Sequence, residues 1–188
     1  MASVITHFIV GASLALPVAP LGPAQAAFRP WALVLSSGLC AMAPDLDTAF
    51  LRRVPYDDLL AHRGLSHAAP VLILVALALA VSLGALVRGL SAPAVGLLAV
   101  LLAASAVSHS LLDALTDGGP GVMLFFPFSK ARLFLPWRPI HVSPLRIAAF
   151  PRWASRVLSS EWPFCAAALL AGLIASRLVS PRAERPDS

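Results

Sequence analysis

The apolar run from Ala94 to Leu115 constrains the fold most, because it takes in His109 and Asp113 before it ends. Asp117 follows four residues later, so the three are spaced i, i+4, i+8. On an α-helix that spacing puts the imidazole and the first carboxylate on one face, about one turn apart. A charged group near mid-bilayer costs at least about 2.5–3.5 kcal/mol on insertion scales. Such groups face a protein interior or a wet cavity and pair with something there. A metal ion would satisfy this pair, with further ligands delivered by the rest of the chain.

Composition supports a membrane setting. Of 188 residues, 59% are hydrophobic and 12% charged, against about 45–50% and about 25% in a soluble domain. The mean hydropathy is +0.83. The length allows one helical domain, residues 1–178, followed by a polar tail at 179–188 that reads as disordered. The net charge of +5 does not indicate nucleic acid, because the basic residues lie in loops between apolar runs. Cys40 and Cys165 both fall inside apolar runs and read as small buried side chains. The N-terminus has no basic leader and carries His7 in its apolar run, so it reads as a retained span.

The expected fold is all-α: an integral membrane bundle of about four to five transmembrane helices with an interfacial or re-entrant segment. The spans are read at roughly Val4–Leu21, Trp31–Pro44, Ala68–Leu86, Ala94–Leu115 and Trp162–Leu178. The third and fourth form a helical hairpin across the turn at Arg88–Pro93. Pro17, Pro20 and Pro23 fray the end of the first. Residues 48–61, with Arg52, Arg53, Asp57 and Asp58, read as a solvated connection. Residues 116–160 mix prolines, aromatics and arginines, as an interfacial segment would. Arg132 and Arg138 there could hold an anionic lipid headgroup, or serve as snorkelling anchors.

The chemistry-bearing residues sit at the ends of these runs. Thr6-His7 opens the first. Asp45 and Asp47 follow Pro44, where a turn lets both reach one cation. His62 and His67 flank Arg63-Gly64-Leu65-Ser66. At i, i+5 they would lie about 140° apart on a regular helix, so Gly64 suggests a turn that points both inward. His141 is a lone histidine in the interfacial segment. With five spans, His7, Asp45, Asp47, His62, His67, His109, Asp113 and Asp117 all fall near one membrane surface. Most loop arginines lie on the same side, which the positive-inside rule makes cytoplasmic.

Mixed imidazole and carboxylate donors favour zinc, with manganese or iron as alternatives, over magnesium or calcium. Six candidates, His7, Asp45, His62, His67, His109 and Asp113, exceed the three protein ligands of a simple catalytic zinc site. Two ions are therefore as acceptable as one, with Asp113 or Asp45 as the bridge. Such a centre can lower the pKa of bound water and polarise a phosphoryl or carbonyl oxygen. Asp47 or Asp117 would be the general base. The competing reading is a non-catalytic membrane metal-binding or transport protein.

Five motifs occur in order: T-H near the start, P-D-L-D, H-R-G-L-S-H, S-H-x-x-L-D with T-D-G-G, and P-F-S-K-A-R-L-F-L-P-W-R-P-I-H-V-S-P. As a set, from Thr6 to Pro144, they resemble the YdjM-like family of predicted membrane-bound metal-dependent hydrolases. These are bacterial inner-membrane proteins, some linked to the DNA-damage response. The resemblance implies a multi-span helical protein of the inner membrane, hydrolase-like metal chemistry and a phospholipase-type activity on a lipid or lipid-linked substrate. It also implies His7, Asp45, His62, His67, His109 and Asp113 as the metal positions.

Overall fold

A computed structural model describes residues 1–50, 54–55, 58–144 and 147–180. Arg52, Arg53 and Asp57 of the polar connection, Arg146, and the tail beyond Ser180 lie outside the described residues. The helices are α1 (Val4–Leu14), α2 (Gly22–Ala27), α3 (Pro30–Met42), α4 (Asp47–Phe50), α5 (Ala69–Leu86), α6 (Ala92–Ala114) and α7 (Phe150–Val179). Short 3-10 turns precede α4, α5 and α7. Among the described residues there is no strand, only two isolated bridges, so the fold is all-α as expected.

Local chemistry sets the helix starts. Ser3 and Ser91 cap α1 and α6, each accepting from the amide three residues on. Proline occupies the first turn of α3, α5 and α6, where its missing N–H costs nothing. Three helices, α5, α6 and α7, are long and apolar enough to cross a membrane. The first two expected spans are shorter. α1 has 11 residues and α3 has 13, below the roughly 17–25 of a spanning helix. The chain leaves α1 after Leu14 and turns through Pro17 and Pro20 into the short α2. α7, by contrast, begins well before the expected Trp162 and carries Pro163 within it.

α5 and α6 pack as the hairpin read from the sequence, while α1 packs against α3, α6 and α7. The apolar core joins Ala15, Leu33, Ala76, Ala80, Leu98, Leu101 and Leu102. Small residues let α1 and α3 approach closely. A side chain at Gly11 would collide with the Ala41 Cβ, and one at Gly38 would meet the Phe8 ring. The Ser37 hydroxyl donates to the Gly11 carbonyl at 2.6 Å and lies 2.6 Å from the Ser105 hydroxyl, tying α1, α3 and α6 together. Leu74 and Ile174 stay more than half exposed on the outer faces of α5 and α7, a surface suited to lipid.

Because these helices alternate in direction, the start of α1, the end of α3, the start of α5 and the end of α6 meet at one end of the bundle. Residues 116–144 fold over that end without regular structure. Backbone bonds hold them there: Leu135 to Ala114, Met123 to Arg63, Asp117 to Ile140, Ser143 to Met1, and Ala69 to Leu124.

Candidate metal centre

Asp45 and Asp47 emerge from the 3-10 turn Ala43–Leu46, which Pro44 opens and which turns both carboxylates inward. His62 and His67 reach the same place by a tight turn. Arg63 adopts φ 62, and Gly64 presses so near the Leu59 carbonyl that a Cβ would collide with it. The glycine therefore supplies room, and the left-handed residue is its neighbour. α6 brings His109 and Asp113 on one face, and α1 brings His7. His7, His67, His109 and Asp113 are fully buried, and Asp45 and His62 nearly so.

These six side chains form two groups whose donor atoms lie within 4.8 Å of one another. One is Asp45, His62, His67 and Asp113; the other is His7, Asp45 and His109. Asp45 belongs to both. The His7 and His109 rings stack at 3.7 Å, and His67 meets His109 edge-on at 4.7 Å. Asp45 stands 3.4 Å from His109 Nε2, 3.7 Å from His67 Nε2 and 4.0 Å from His7 Nε2. These are ion-pair distances without hydrogen-bond geometry.

Outer contacts fix the ring orientations. His109 Nδ1 donates to the Ala41 carbonyl at 2.7 Å. His62 Nδ1 lies 2.9 Å from Asp47 Oδ1, and His67 Nδ1 lies 3.5 Å from Asp47 Oδ2 and 2.9 Å from Ser66 Oγ. A carboxylate only accepts, so in the neutral rings Nδ1 carries the proton and Nε2 offers a lone pair inward. His67 Nε2 and His109 Nε2 then face each other at 3.0 Å, an approach that needs a shared proton or a cation. Among the described residues, the buried side-chain atoms without a hydrogen-bond partner are both nitrogens of His7, both carboxylate oxygens of Asp45, and His62 Nε2. Every one belongs to the donor groups. An orphaned buried polar atom is costly, and a metal ligand is one way to be satisfied. The donor set therefore fits a divalent metal ion.

Charge and burial keep His67 and Asp45 in ligating form. Burial pushes His67 down to about 4, against the pull of Asp45, so its ring stays neutral. Burial would raise Asp45, but His109 and His67 outweigh it and hold that carboxyl below its usual range. Arg63, fully buried, places Nε 2.9 Å from Asp113 Oδ2 and anchors its other nitrogens on the Gly118 carbonyl and Thr116 Oγ1, both at 2.9 Å. The Ala2 amide donates to Asp113 Oδ1 at 2.6 Å.

The remaining residues singled out from the sequence are placed differently. Asp47 stands behind His62 and His67, with Oδ1 on His62 and Oδ2 accepting from Ser66. Asp117 lies outside both donor groups, bonded to His141 Nδ1 at 2.6 Å and accepting from the Val142 amide. That bond also accounts for His141. Arg132 donates to the carbonyls of His62 and Asp58, and Arg138 sits over the Phe134 ring at 5.0 Å. Two residues were not singled out as site residues. Arg63 carried a signal, since it lies inside H-R-G-L-S-H. Glu161 carried none. It is fully buried in α7 and accepts from the Ser3 amide, the Ser3 hydroxyl and the Thr6 hydroxyl, seating the start of α1 beside the cluster.

A family model described as YdjM inner membrane protein matches residues 1–182. Inner membrane protein YbcI of Escherichia coli (strain K12) is 33% identical over 180 residues, covering 93% of this chain and 97% of that protein. No solved structure matches.

Proposed function

The chain belongs to the YdjM inner membrane protein family, and we propose that it is a metal-dependent hydrolase of the inner membrane, cleaving a phosphoester or ester bond in a lipid or lipid-linked substrate. The observation that supports this most is the concentration of unpartnered buried donor atoms in Asp45, His7 and His62. Asp45, His62, His67 and Asp113 would hold one ion, and His7, Asp45 and His109 a second, with Asp45 shared. Zinc suits this mixture of nitrogen and oxygen best, with manganese or iron next. When bound, such an ion supplies a Lewis acid and an acidified water.

The chain's own residues do the rest. Asp47 orients His62 and His67 and keeps their protons on Nδ1. The Ala41 carbonyl does the same for His109. Arg63 holds Asp113 in place through its Nε. Both acids read as bases are engaged, Asp47 by His62 and Ser66 at the wall of the cluster and Asp117 by His141 outside it. Only Asp47 adjoins the donors, so a proton would pass to it through His62 or His67. Residues 116–144 cover this end and limit water.

The alternative, a non-catalytic metal-binding protein, shares the same donors. Transport would want donors along a path, and these gather at one end of the bundle. The test is elemental analysis of detergent-purified wild type, His109→Ala and Asp113→Ala, beside a phospholipid product assay. One or two ions per chain in the wild type, lost in both variants, with product from the wild type only, is the expected result. Stoichiometric metal with no product, and unchanged cellular lipids in Asp113→Ala, would leave the non-catalytic reading.

A further inference from the structure

Asp45 has a second neighbourhood. The residue lines a cavity of about 620 Å³ between α1, α3 and the start of α7, with its two carboxylate oxygens buried behind that wall. The cavity is walled by Val4 and Ile5 of α1, Leu39 and Met42 of α3, Leu46 of the following turn, and Phe150 at the start of α7. Leu39, Met42 and Asp45 follow one another at successive turns, so the wall runs from apolar helix to carboxylate without a break. Val4, Ile5 and Leu39 are each about half exposed, at 42%, 48% and 51%.

Three facts bear on what fills this space. Its volume lies within the roughly 300–1,000 Å³ of small-molecule sites. Its side walls are aliphatic and aromatic, so water is a poor occupant. Its open residues belong to helices of an inner-membrane protein, where the surrounding medium is lipid. At its polar end stands the one carboxylate common to both donor groups, with neither oxygen hydrogen-bonded. A ligand with a long apolar part and a reactive polar junction matches both ends.

We propose that this cavity is an acyl-chain site for a bilayer glycerolipid, holding the chain so that the lipid's ester or phosphoester junction meets Asp45 and the histidines behind it. The assignment rests on the hydrolase reading for the fate of that junction, but not for the binding of the chain. It makes Val4, Ile5 and Leu39 the entry from the bilayer, and Met42, Leu46 and Phe150 the grip. The cavity and the donor cluster share Asp45 as a common wall, so a lipid held there lies directly beside the buried donors, one side-chain movement from them.

The test uses the full chain, metal-loaded, in liposomes of palmitoyl-oleoyl phosphatidylglycerol doped with an analogue bearing a diazirine near the end of one acyl chain. Labelled residues are mapped by mass spectrometry after illumination. Label per residue on Ile5, Leu39 and Met42 is expected to exceed that on Leu74 and Leu77 of α5 by about tenfold, as a filled pocket would over a bare lipid-facing surface. Leu39→Trp, which fills the cavity, should remove that excess while metal content stays unchanged; Leu46→Trp, at the rim, is the second variant. Equal labelling of the cavity and the α5 face in the wild type would overturn the assignment without recourse to any variant.

Product release from palmitoyl-oleoyl and dihexanoyl phosphatidylglycerol separates this idea from the one it rests on. Enriched label with no product from either lipid would sink hydrolysis and leave the chain site standing. Product from both lipids without enrichment would do the reverse. With both correct, kcat/KM for the long-chain lipid should exceed that for the short one by more than about tenfold, given the gain from each buried methylene.

Discussion

The two halves of α6 each bury a cluster of side chains, but in opposite chemistry. Near its start Leu98, Leu101 and Leu102 pack among Ala15, Leu33, Ala76 and Ala80. Near its end Ser105, His109, Ser110 and Asp113 are as deeply enclosed. At the apolar end any side chain of similar volume would serve, because dispersion is not directional. At the polar end each group needs one particular partner, and a missing partner leaves a costly orphan. The first end stabilises the bundle. The second gathers the groups that could hold a metal ion.

Asp45→Ala should break this contrast most. It removes the carboxylate common to both donor groups, so metal retention after dialysis should fall by more than the about 10–100-fold that loss of an outer-shell partner costs. Elemental analysis measures it, and a full complement of metal in the variant would remove the basis of the two-group centre. Arg63→Leu comes next. It strands the buried charge of Asp113, an effect of about 3–5 kcal/mol on unfolding in mixed micelles, which Asp113→Asn in the same chain should partly reverse. No loss would mean that Asp113 is neutral and the pairing irrelevant.

Leu101→Ala sharpens the comparison from the other side. It should cost about 2 kcal/mol in the same unfolding measurement and leave metal content unchanged. If metal fell with it, the two ends would not be separable. The smallest effect is expected at the cover, where Asp117→Asn should change stability by less than about 1 kcal/mol, since the pair is partly exposed. Its sign follows from the carboxyl's environment. Burial would raise Asp117, but the His141 hydrogen bond and the Val142 amide outweigh it and hold the carboxyl low. A carboxyl depressed on folding contributes above its unfolded value, near 3.9, and loses that contribution as pH falls through the lower folded value. Wild type and variant should therefore differ at pH 6 and converge in stronger acid. A difference that persists there would place the effect elsewhere.

The six donors were legible because histidine and aspartate stand out in apolar runs that lipid would otherwise penalise, and each lies near the end of one. A carboxylate common to two groups was legible as Asp113 or Asp45, but the choice of Asp45 and the membership of each group were not, since they depend on how four helix ends turn toward each other. Glu161 was hidden for a related reason. Its partners Ser3 and Thr6 lie more than 150 positions away, and its neighbours Ser160 and Trp162 look like an ordinary approach to a span. The last span was read from Trp162, whereas α7 begins at Phe150 and runs through Pro163. The length of α1 was hidden because apolar residues continue past Leu14 even though the helix does not.

The contact between Gly11 and Ala41 carries a consequence for ion choice. Gly11 lies one turn along α1 from His7, and Ala41 one turn before Asp45, so the missing Cβ at Gly11 sets how closely the helices carrying these two donors approach. Zinc–nitrogen bonds of about 2.0–2.1 Å and calcium–oxygen bonds of about 2.3–2.6 Å differ by only a few tenths of an ångström. If an ion is bound, the His7 to Asp45 spacing would be set by the close packing of α1 on α3 at Gly11. The residue that sets which cation radius the pocket accepts would then be one that never touches the cation.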